Sequence, residues 1–272
     1  MDSFDGAAFW AGVGWVALAI VVLLLITFGA SRVAGRHNVI DTTWGLLFVG
    51  AAVVSFFASS GHGDGLRRWL LLALPAVWGL RLAIHVGRRS LGKGEDPRYE
   101  KLLDKAKGNR QLYALRMIYS LQGLLGLLIA APIVVGAFEP RPVRVLAWIG
   151  VVVWAVGVFF EAVGDQQMER FRANPGNKGK VIDEGLWRYT RHPNYFGDAC
   201  VWWGIFLVAA DALPGVATVF SPIIMTLLLT VGSGARLLER SMSTRTGWDE
   251  YAARTSMFFP LPPRAKRALA DS

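Results

Sequence analysis

Cysteine is almost absent from this chain of 272 residues, which contains only Cys200. A single cysteine cannot form an intramolecular disulfide, and it excludes a metal site built from a cysteine cluster. The four histidines, His37, His62, His85 and His192, stand singly and lack the spacing of a zinc-binding motif. We therefore expect no metal site.

Charge is also scarce. Charged residues make up 18% of the chain, whereas apolar residues make up 53% and include eleven tryptophans. The mean hydropathy is +0.39. A chain this apolar, with its apolar residues gathered in long runs, has the composition of an integral membrane protein and not of a soluble domain.

Seven apolar runs are candidate transmembrane helices, and the first of them is long enough, at about 1.5 Å per helical residue, to cross a bilayer. They span residues 7–30, 44–59, 69–86, 113–137, 146–164, 199–212 and 216–238. The sequence therefore predicts an all-α integral membrane bundle of about seven transmembrane helices. We expect it to form a single domain over residues 1–272, because no linker or internal repeat interrupts it.

Lysine and arginine are concentrated in four stretches, 31–43, 88–112, 167–195 and the tail 239–272. Basic residues favour the cytoplasmic side of a membrane, so these stretches are predicted inner loops, with the N-terminus outside and the C-terminus cytoplasmic. This arrangement accounts for much of the net charge of +9 without nucleic acid. We expect a multi-pass protein of a bacterial inner membrane, with no obligate protein partner.

Three carboxylates, Glu161, Asp165 and Glu169, recur every four residues at the end of the fifth run. On a helix they form one stripe, and charges near a bilayer are costly unless they are paired, protonated or bound to a ligand. They are either ligand-binding groups or a salt-bridged helix end. The stripe continues to Arg172.

The next stretch, 174–198, combines a turn rich in Asn, Gly and Lys with the motif RHPNYFGD. Free backbone N–H groups, lysines and arginines can bind phosphate, and the interleaved aromatic rings can stack on a ligand. The lysines could equally face anionic lipid, and His192 could be an interfacial histidine. The candidate cofactor-binding residues are Glu161, Asp165, Arg172, Asn177, Lys178, Lys180, Trp187, Tyr189, Arg191, His192, Asn194, Tyr195, Asp198, Arg236 and Arg240.

This stretch, together with GEDPRY at 94–99, Glu250-Tyr251 and the Phe-Phe-Pro at 258–260, resembles the DUF1295 group of membrane proteins. That group is similar to the steroid 5-alpha-reductase family, and more distantly to sterol reductases and isoprenylcysteine methyltransferases. The resemblance covers most of the chain from about Asp41 onward.

The resemblance implies a seven-helix reductase that binds NADPH from the cytosolic side. It implies cofactor contacts at Asp165, Arg172, Asn194, Asp198 and Arg236, whereas Tyr189, Arg191, His192 and Tyr195 lie in the shared motif. Three positions depart from the steroid enzymes. This chain has Asp198 where Glu is usual, Glu161 where those enzymes have an amide, and Arg240 where they have a histidine. The Glu and Tyr that hold the substrate ketone in those enzymes have no clear counterpart here.

Reduction of an enone needs a hydrogen-bond donor for the carbonyl oxygen and a proton for the α-carbon. We predict Asp41, His85 and Tyr119 as catalytic candidates, with Arg81 one turn before His85. Snorkelling and neutralisation of a helix end are the alternative roles for such groups. The inner loop 87–110 could close over a bound nucleotide as a lid or lie on the membrane.

The sequence thus favours an NADPH-dependent oxidoreductase, similar to steroid reductases, acting on an activated carbon–carbon double bond. Its expected substrate is a hydrophobic steroid, isoprenoid or fatty-acyl enone that enters from the bilayer. One alternative is a lipid or prenyl-cysteine methyltransferase that uses S-adenosylmethionine, which carries no phosphate. A second alternative is a lipid-binding membrane protein without enzymatic activity.

Overall fold

A computed structural model describes residues 4–232 and 234–264. The described residues form helices joined by turns, with two isolated backbone bridges and no strand longer than a bridge. The predicted all-α fold class is confirmed. The last eight residues of the predicted tail, 265–272, lie outside the described part.

Several helices in the first half of the chain begin at a side chain that caps them. Asp5 accepts a hydrogen bond from the Ala8 backbone N–H at 3.0 Å, and Asp64 accepts one from Arg67 at 2.8 Å. Such caps satisfy N–H groups that have no partner inside a helix. The helices are α1 Gly6–Ala34, α2 Val39–Ala58, α3 Gly65–Ser90, α4 Pro97–Leu103, α5 Arg110–Ile129 and α6 Ala131–Ala137.

The second half contains two long helices and a broken one. The broken helix begins with the short turns Leu213–Val216 and Ala217–Val219, and a π-helical stretch at Leu228–Gly232 interrupts it further on. The helices are α7 Val145–Ala173, α8 Pro193–Ala210, α9 Phe220–Leu227, α10 Ala235–Met242 and α11 Trp248–Arg254.

Six helices of the described residues are long and apolar enough to cross a membrane: α1, α2, α3, α5, α7 and the stretch Leu213–Met242. The chain is therefore a multi-pass membrane protein. Helix α8, at the place of the sixth predicted run, has 18 residues and carries Asn194, Tyr195 and Asp198 in its first two turns, which lowers its hydropathy. The total of seven spans and the sides on which the termini lie stay predictions.

The chain divides into two compact units. The first comprises Met1–Val151 with Ile205–Ser221, and the second comprises Val152–Gly204 with Pro222–Ser272. This division into compact units does not test whether residues 1–272 form one functional domain, and that stays a prediction.

Within the first unit, α2 and α3 approach each other at two glycines. A Cβ atom added to Gly45 would lie 2.4 Å from the Gly79 carbonyl oxygen, so only glycine permits this contact. At another place the wholly buried Arg67 donates hydrogen bonds to the Val208 and Arg141 carbonyls and to Asp211. These contacts tie α3 to the last turn of α8, to the residue that follows it and to the loop before α7.

Within the second unit, α7 and α8 also meet at glycines. A Cβ atom on Gly157 would lie 2.6 Å from the Gly197 carbonyl oxygen, and one on Gly197 would lie 2.5 Å from the Glu161 nitrogen. The close approach holds the carboxylate stripe of α7 against the start of α8, which carries the last six residues of the RHPNYFGD motif.

Candidate functional site

The loop between α7 and α8 is held in place by Trp187. The indole Nε1 donates to the Gly164 carbonyl on α7 at 3.0 Å, and the Trp187 carbonyl accepts from the Tyr251 hydroxyl at 2.7 Å. Burial raises the pKa of Tyr251, which keeps that hydroxyl protonated as a donor. Trp187 thus joins the loop to α7 on one side and to α11 on the other. Its position, buried and hydrogen-bonded within the protein, indicates a structural part in the predicted site.

The guanidinium of Arg191 is occupied by contacts inside the second unit. Its Nε and Nη2 bind the two carboxylate oxygens of Glu239 at 2.7 and 3.3 Å, and its Nη1 donates to the carbonyls of Ala252 and Thr255. Its side chain is 13% exposed. Because these N–H groups are used within the protein, Arg191 fixes α10 and the tail in place.

His192 shares the same carboxylate. Its Nε2 lies 3.1 Å from Glu239 Oε1, and its ring stacks on Tyr195 with centroids 5.3 Å apart and planes 6° apart. The other ring nitrogen, Nδ1, is buried and has no hydrogen-bond partner within the described residues. A buried polar nitrogen without a partner is costly, so this atom is available to a ligand or a water molecule.

The carboxylate stripe on α7 faces the start of α8. Asn194 Nδ2 donates to Asp165 Oδ1 at 3.1 Å. Glu161 is buried on α7, with 3% of its surface exposed, and Asp198 is 9% exposed on α8. The structure therefore brings together four residues that the sequence predicts as cofactor ligands, Glu161 and Asp165 on one helix and Asn194 and Asp198 on the next.

A basic cavity of about 370 Å³ lies between the end of α7, the following loop and α10. Arg172, Lys178, Lys180 and Arg245 contribute cationic side chains, and no carboxylate among the described residues lines the cavity. The loop turns through the Asn174 side chain, which accepts from Gly176 N–H at 3.0 Å, and through Gly179 at φ +79°. The other lining residues are Met168, Phe171, Asn174, Pro175, Asn177, Gly179, Ile182 and Met242.

The cavity gathers four of the predicted ligands, Arg172, Asn177, Lys178 and Lys180. The Asn177 side chain is turned inward, with Nδ2 donating to the Phe171 carbonyl at 2.9 Å. The other eleven predicted ligands do not line the cavity, and three of these are exposed. Tyr189 has 43% of its surface exposed, and Arg236 and Arg240 lie exposed on α10.

In the first unit, Tyr119 lies in a buried polar cluster. Its hydroxyl donates to Ser31 Oγ at 2.7 Å and lies 3.1 Å from His37 Nδ1. Phe28 packs edge-on against the Tyr119 ring. Burial lowers the pKa of His37, and the nearby Glu95 carboxylate partly opposes this shift. The second catalytic candidate, His85, lies elsewhere on α3, in its last two turns.

The third catalytic candidate, Asp41, is engaged by the loop that precedes and includes α4. Tyr99 donates its hydroxyl to Asp41 Oδ1 at 2.5 Å, and Arg98 Nη2 lies 3.4 Å from Oδ2. Burial, and next the Asp41 charge, raise the pKa of Tyr99. The hydrogen bond to Asp96 raises the pKa of Arg98, so both donors stay protonated.

The same loop crosses the start of α2. The Glu95 carboxylate accepts the backbone N–H groups of His37 and Asn38, and Asn38 Nδ2 donates to the Gly94 carbonyl at 2.9 Å. Arg36 binds the Ser90 and Lys93 carbonyls. The predicted lid is thus a segment fixed to the first unit by hydrogen bonds.

Sequence reasoning missed several of these residues. Glu239 lies three residues after Arg236 and one before Arg240, so the three share one face of a helix. This spacing is the one feature of the sequence that points to Glu239. Arg245 and His37 belong to no motif, and only the folded chain places them beside other functional groups.

Comparison with known proteins places the chain in a family. Residues 27–255 match the family described as "Protein of unknown function (DUF1295)", and the chain belongs to that family. A stretch of 46 residues is 44% identical to the "Probable O-methyltransferase ustE" of Ustilaginoidea virens, which covers 17% of this chain and 16% of that protein. No solved structure matches the chain significantly. Similarity to the steroid 5-alpha-reductases stays a prediction.

Proposed function

We propose that this member of the DUF1295 family is a membrane-embedded reductase that uses NADPH to reduce an activated carbon–carbon double bond in a hydrophobic substrate. The observation that carries the proposal is the basic cavity of the second unit, which is lined by four cations and, in the described part of the chain, by no carboxylate. NADPH bears a pyrophosphate and a 2′-phosphate, and arginine and lysine are the side chains suited to bind them.

The other groups of the second unit also suit a dinucleotide. Asn194 Nδ2 donates a hydrogen bond to Asp165 Oδ1 at 3.1 Å. A carboxylate and an amide placed in this way can form hydrogen bonds with ribose hydroxyls or with a carboxamide. The buried His192 Nδ1 offers a further polar atom. Arg191, Glu239 and Trp187 are the supports that keep these groups in place.

When bound, NADPH would supply a hydride for the β-carbon of the substrate. The charge that then develops on the substrate carbonyl oxygen requires a hydrogen-bond donor, and the α-carbon requires a proton. The donors predicted from the sequence belong to the first unit, and their part in the reaction stays a prediction. Tyr119 carries a phenolic proton and lies beside His37 Nδ1. Asp41 and Tyr99 form a second donor pair.

A second candidate function is a methyltransferase that uses S-adenosylmethionine. The 46-residue match to a probable O-methyltransferase favours it. Charge distinguishes the two candidates, because S-adenosylmethionine carries a sulfonium and no phosphate, so four cations would oppose rather than attract it. The basic cavity would then be a surface for lipid headgroups.

Titration of the purified full-length protein with NADPH, NADH and S-adenosylmethionine tests the proposal. We expect saturable binding of NADPH that weakens as salt is raised, since ionic contacts to phosphate are screened. Addition of an enone lipid should then cause oxidation of NADPH. Binding of S-adenosylmethionine alone would overturn the reductase proposal in favour of the methyltransferase.

Two variants locate the ligand. Asp165→Asn removes the carboxylate that receives Asn194, and Lys178→Gln removes one cation of the cavity. Both should weaken NADPH binding several-fold, whereas Lys107→Gln, an exposed cation of the inner loop in the first unit, should leave it unchanged. Equal affinity in all three variants would show that the ligand binds elsewhere.

A further inference from the structure

Arg245 is placed at the basic cavity by the turn that follows α10. Its backbone N–H donates to the Met242 carbonyl at 2.9 Å, and the next residue, Thr246, forms a parallel backbone bridge with Lys180. The turn ends at Gly247, whose φ of +80° is a conformation suited to glycine. The bridge sets Arg245 beside Lys180, so that a residue of the tail completes a cavity built mainly by the loop after α7.

The position of this turn is set before any ligand binds, because the tail is anchored on both sides. Met242, Trp248 and Tyr251 form a buried hydrophobic cluster against which Val181 packs. After it, Arg191 N–H donates to the Ser256 carbonyl at 2.8 Å. A side chain that is already positioned loses less conformational entropy when it binds a ligand.

Three of the four cationic side chains at the cavity lack an acidic partner in the described part of the chain. Within the described residues, the side chains of Lys178, Lys180 and Arg245 form no ion pair, although other arginines of the second unit do, such as Arg191 with Glu239 and Arg254 with Asp183. Like charges that converge on one cavity repel one another, and an anion removes that repulsion. The planar fork of arginine also matches two oxygens of one phosphate group.

We infer that Arg245, together with Lys180, binds a phosphate monoester of the cofactor and thereby selects NADPH over NADH. This inference rests on the proposed function and adds to it a specificity-determining residue. A phosphate monoester is largely dianionic at neutral pH, because its second pKa lies at about 6. NADH carries a hydroxyl at the same ribose position, so it would gain little from two adjacent cations.

The same chemistry exists in one other source, since the headgroup of phosphatidic acid is also a phosphate monoester. A cavity at the inner side of a membrane protein could receive it from the bilayer. The experiment must therefore separate a soluble nucleotide from a lipid, and it can do so by controlling the lipid that surrounds the protein.

The test uses the full-length protein in nanodiscs made of phosphatidylcholine alone. Binding of NADPH, NADH, 2′,5′-ADP and 5′-AMP is titrated for the unchanged protein, Arg245→Gln and Arg170→Gln. Arg170 is the matched control, because it is an exposed arginine two residues from Arg172 that does not line the cavity. A second variant, Lys180→Gln, shows whether the effect belongs to the pair.

We expect Arg245→Gln to raise the Kd of NADPH and of 2′,5′-ADP at least tenfold. The Kd of NADH and of 5′-AMP should change by less than twofold. Lys180→Gln should act in the same direction, and Arg170→Gln should leave all four ligands within twofold. Circular dichroism and gel filtration of each variant establish that it is folded. An equal loss for NADPH and NADH in Arg245→Gln, or no loss for either, would overturn the inference while the reductase proposal stands.

Two further outcomes are distinct. If the unchanged protein binds none of the four nucleotides, the proposed function itself fails, and the inference fails with it. The lipid source is tested in nanodiscs that also contain phosphatidic acid. If Arg245→Gln leaves nucleotide binding unchanged and alters only the amount of phosphatidic acid retained by the protein, the cavity binds a headgroup. The assignment of the phosphate to a cofactor is then wrong.

Discussion

Glu239 shows how much depends on a single side chain in the second unit. Its Oε1 accepts a hydrogen bond from Arg191 Nε at 2.7 Å and lies 3.1 Å from His192 Nε2, and its side chain is 18% exposed. It thereby connects α10 with the residues that begin the RHPNYFGD motif. One acidic residue thus sets the position of two basic ones that the sequence alone would assign to the ligand.

We predict that Glu239→Gln lowers the free energy of unfolding by about 1–3 kcal/mol, because Arg191 would keep a neutral partner and lose the charged one. Unfolding by SDS in mixed micelles measures the change. Glu184→Gln, at an exposed carboxylate of the same unit whose side chain does not cap the short helix that follows it, is the control and should stay within about 0.5 kcal/mol of the unchanged protein. Equal stability of the two variants would contradict the structural role of Glu239.

His37 makes the stability of the first unit depend on pH. Burial holds the pKa of His37 in the folded chain below its ordinary value of 6.5. Protonation therefore favours the unfolded chain, so the contribution of His37 is present above about pH 6.5 and is lost as the pH falls through the lower folded value.

We expect the melting temperature to fall between pH 7.5 and pH 5.5, and to fall less in His37→Asn. Asparagine can keep a hydrogen bond to Tyr119 at the place of Nδ1 but does not take up a proton. Each unit of pKa difference corresponds to about 1.4 kcal/mol. Identical pH profiles for the two proteins, measured by thermal unfolding in detergent, would show that another group carries the acid sensitivity.

At the scale of the helix, glycine decides where two helices touch. Gly157 on α7 and Gly197 on α8 each leave less than 3 Å for a Cβ atom against the other helix. Backbone atoms cannot move aside as the end of a flexible side chain can, so the two helices would have to separate. That separation would move Asp165 away from Asn194.

Gly157→Ala is therefore expected to destabilise the protein by about 1–3 kcal/mol. It should also weaken the binding of any ligand that contacts both Asp165 and Asn194. Gly14→Ala is the matched control, since nothing lies within 4 Å of its added Cβ. It should be neutral or stabilising by up to about 1 kcal/mol, because alanine favours a helix more than glycine does. The measurement is unfolding by SDS together with a nucleotide titration, and a Gly157→Ala protein as stable as Gly14→Ala would refute the close contact.

The loop that contains α4 illustrates a second lesson at this scale. Its charges and glycines suggest a mobile lid, yet Glu95, Asn38 and Tyr99 bind it to the start and first turn of α2. Its acidic residues find N–H groups at a helix start, where negative charge is favoured. A pattern of polar residues cannot distinguish these two outcomes, since both require the same residue types.

For the molecule as a whole, the buried pair of Arg67 and Asp211 is a principal connection in the first unit. Arg67 is fully buried and binds Asp211 at 3.3 Å, and Asp211 also accepts the backbone N–H groups of Arg144 and Ala147. Removal of one partner leaves a buried charge without its counterion, which typically costs about 3–5 kcal/mol.

Asp211→Asn and Arg67→Met should each lower stability by that amount, and the double variant should cost less than their sum. The exposed pair of Arg110 and Asp104 is the control, and its removal should change stability by less than about 1 kcal/mol. A double-mutant cycle of unfolding free energies measures both. If the losses at the buried pair were additive, Arg67 and Asp211 would act independently.

The sequence by itself determined the membrane location, the all-α class, the approximate places of the helices and the DUF1295 family. Hydropathy and helical length are local properties, and they are strong in runs such as those of α1 and α7. The tertiary structure decided which polar side chains bind other residues of the protein and which line an open cavity. Arg191 and Arg245 are both basic residues of the second unit, but only contacts between distant segments direct one to Glu239 and place the other beside Lys180 at an open cavity.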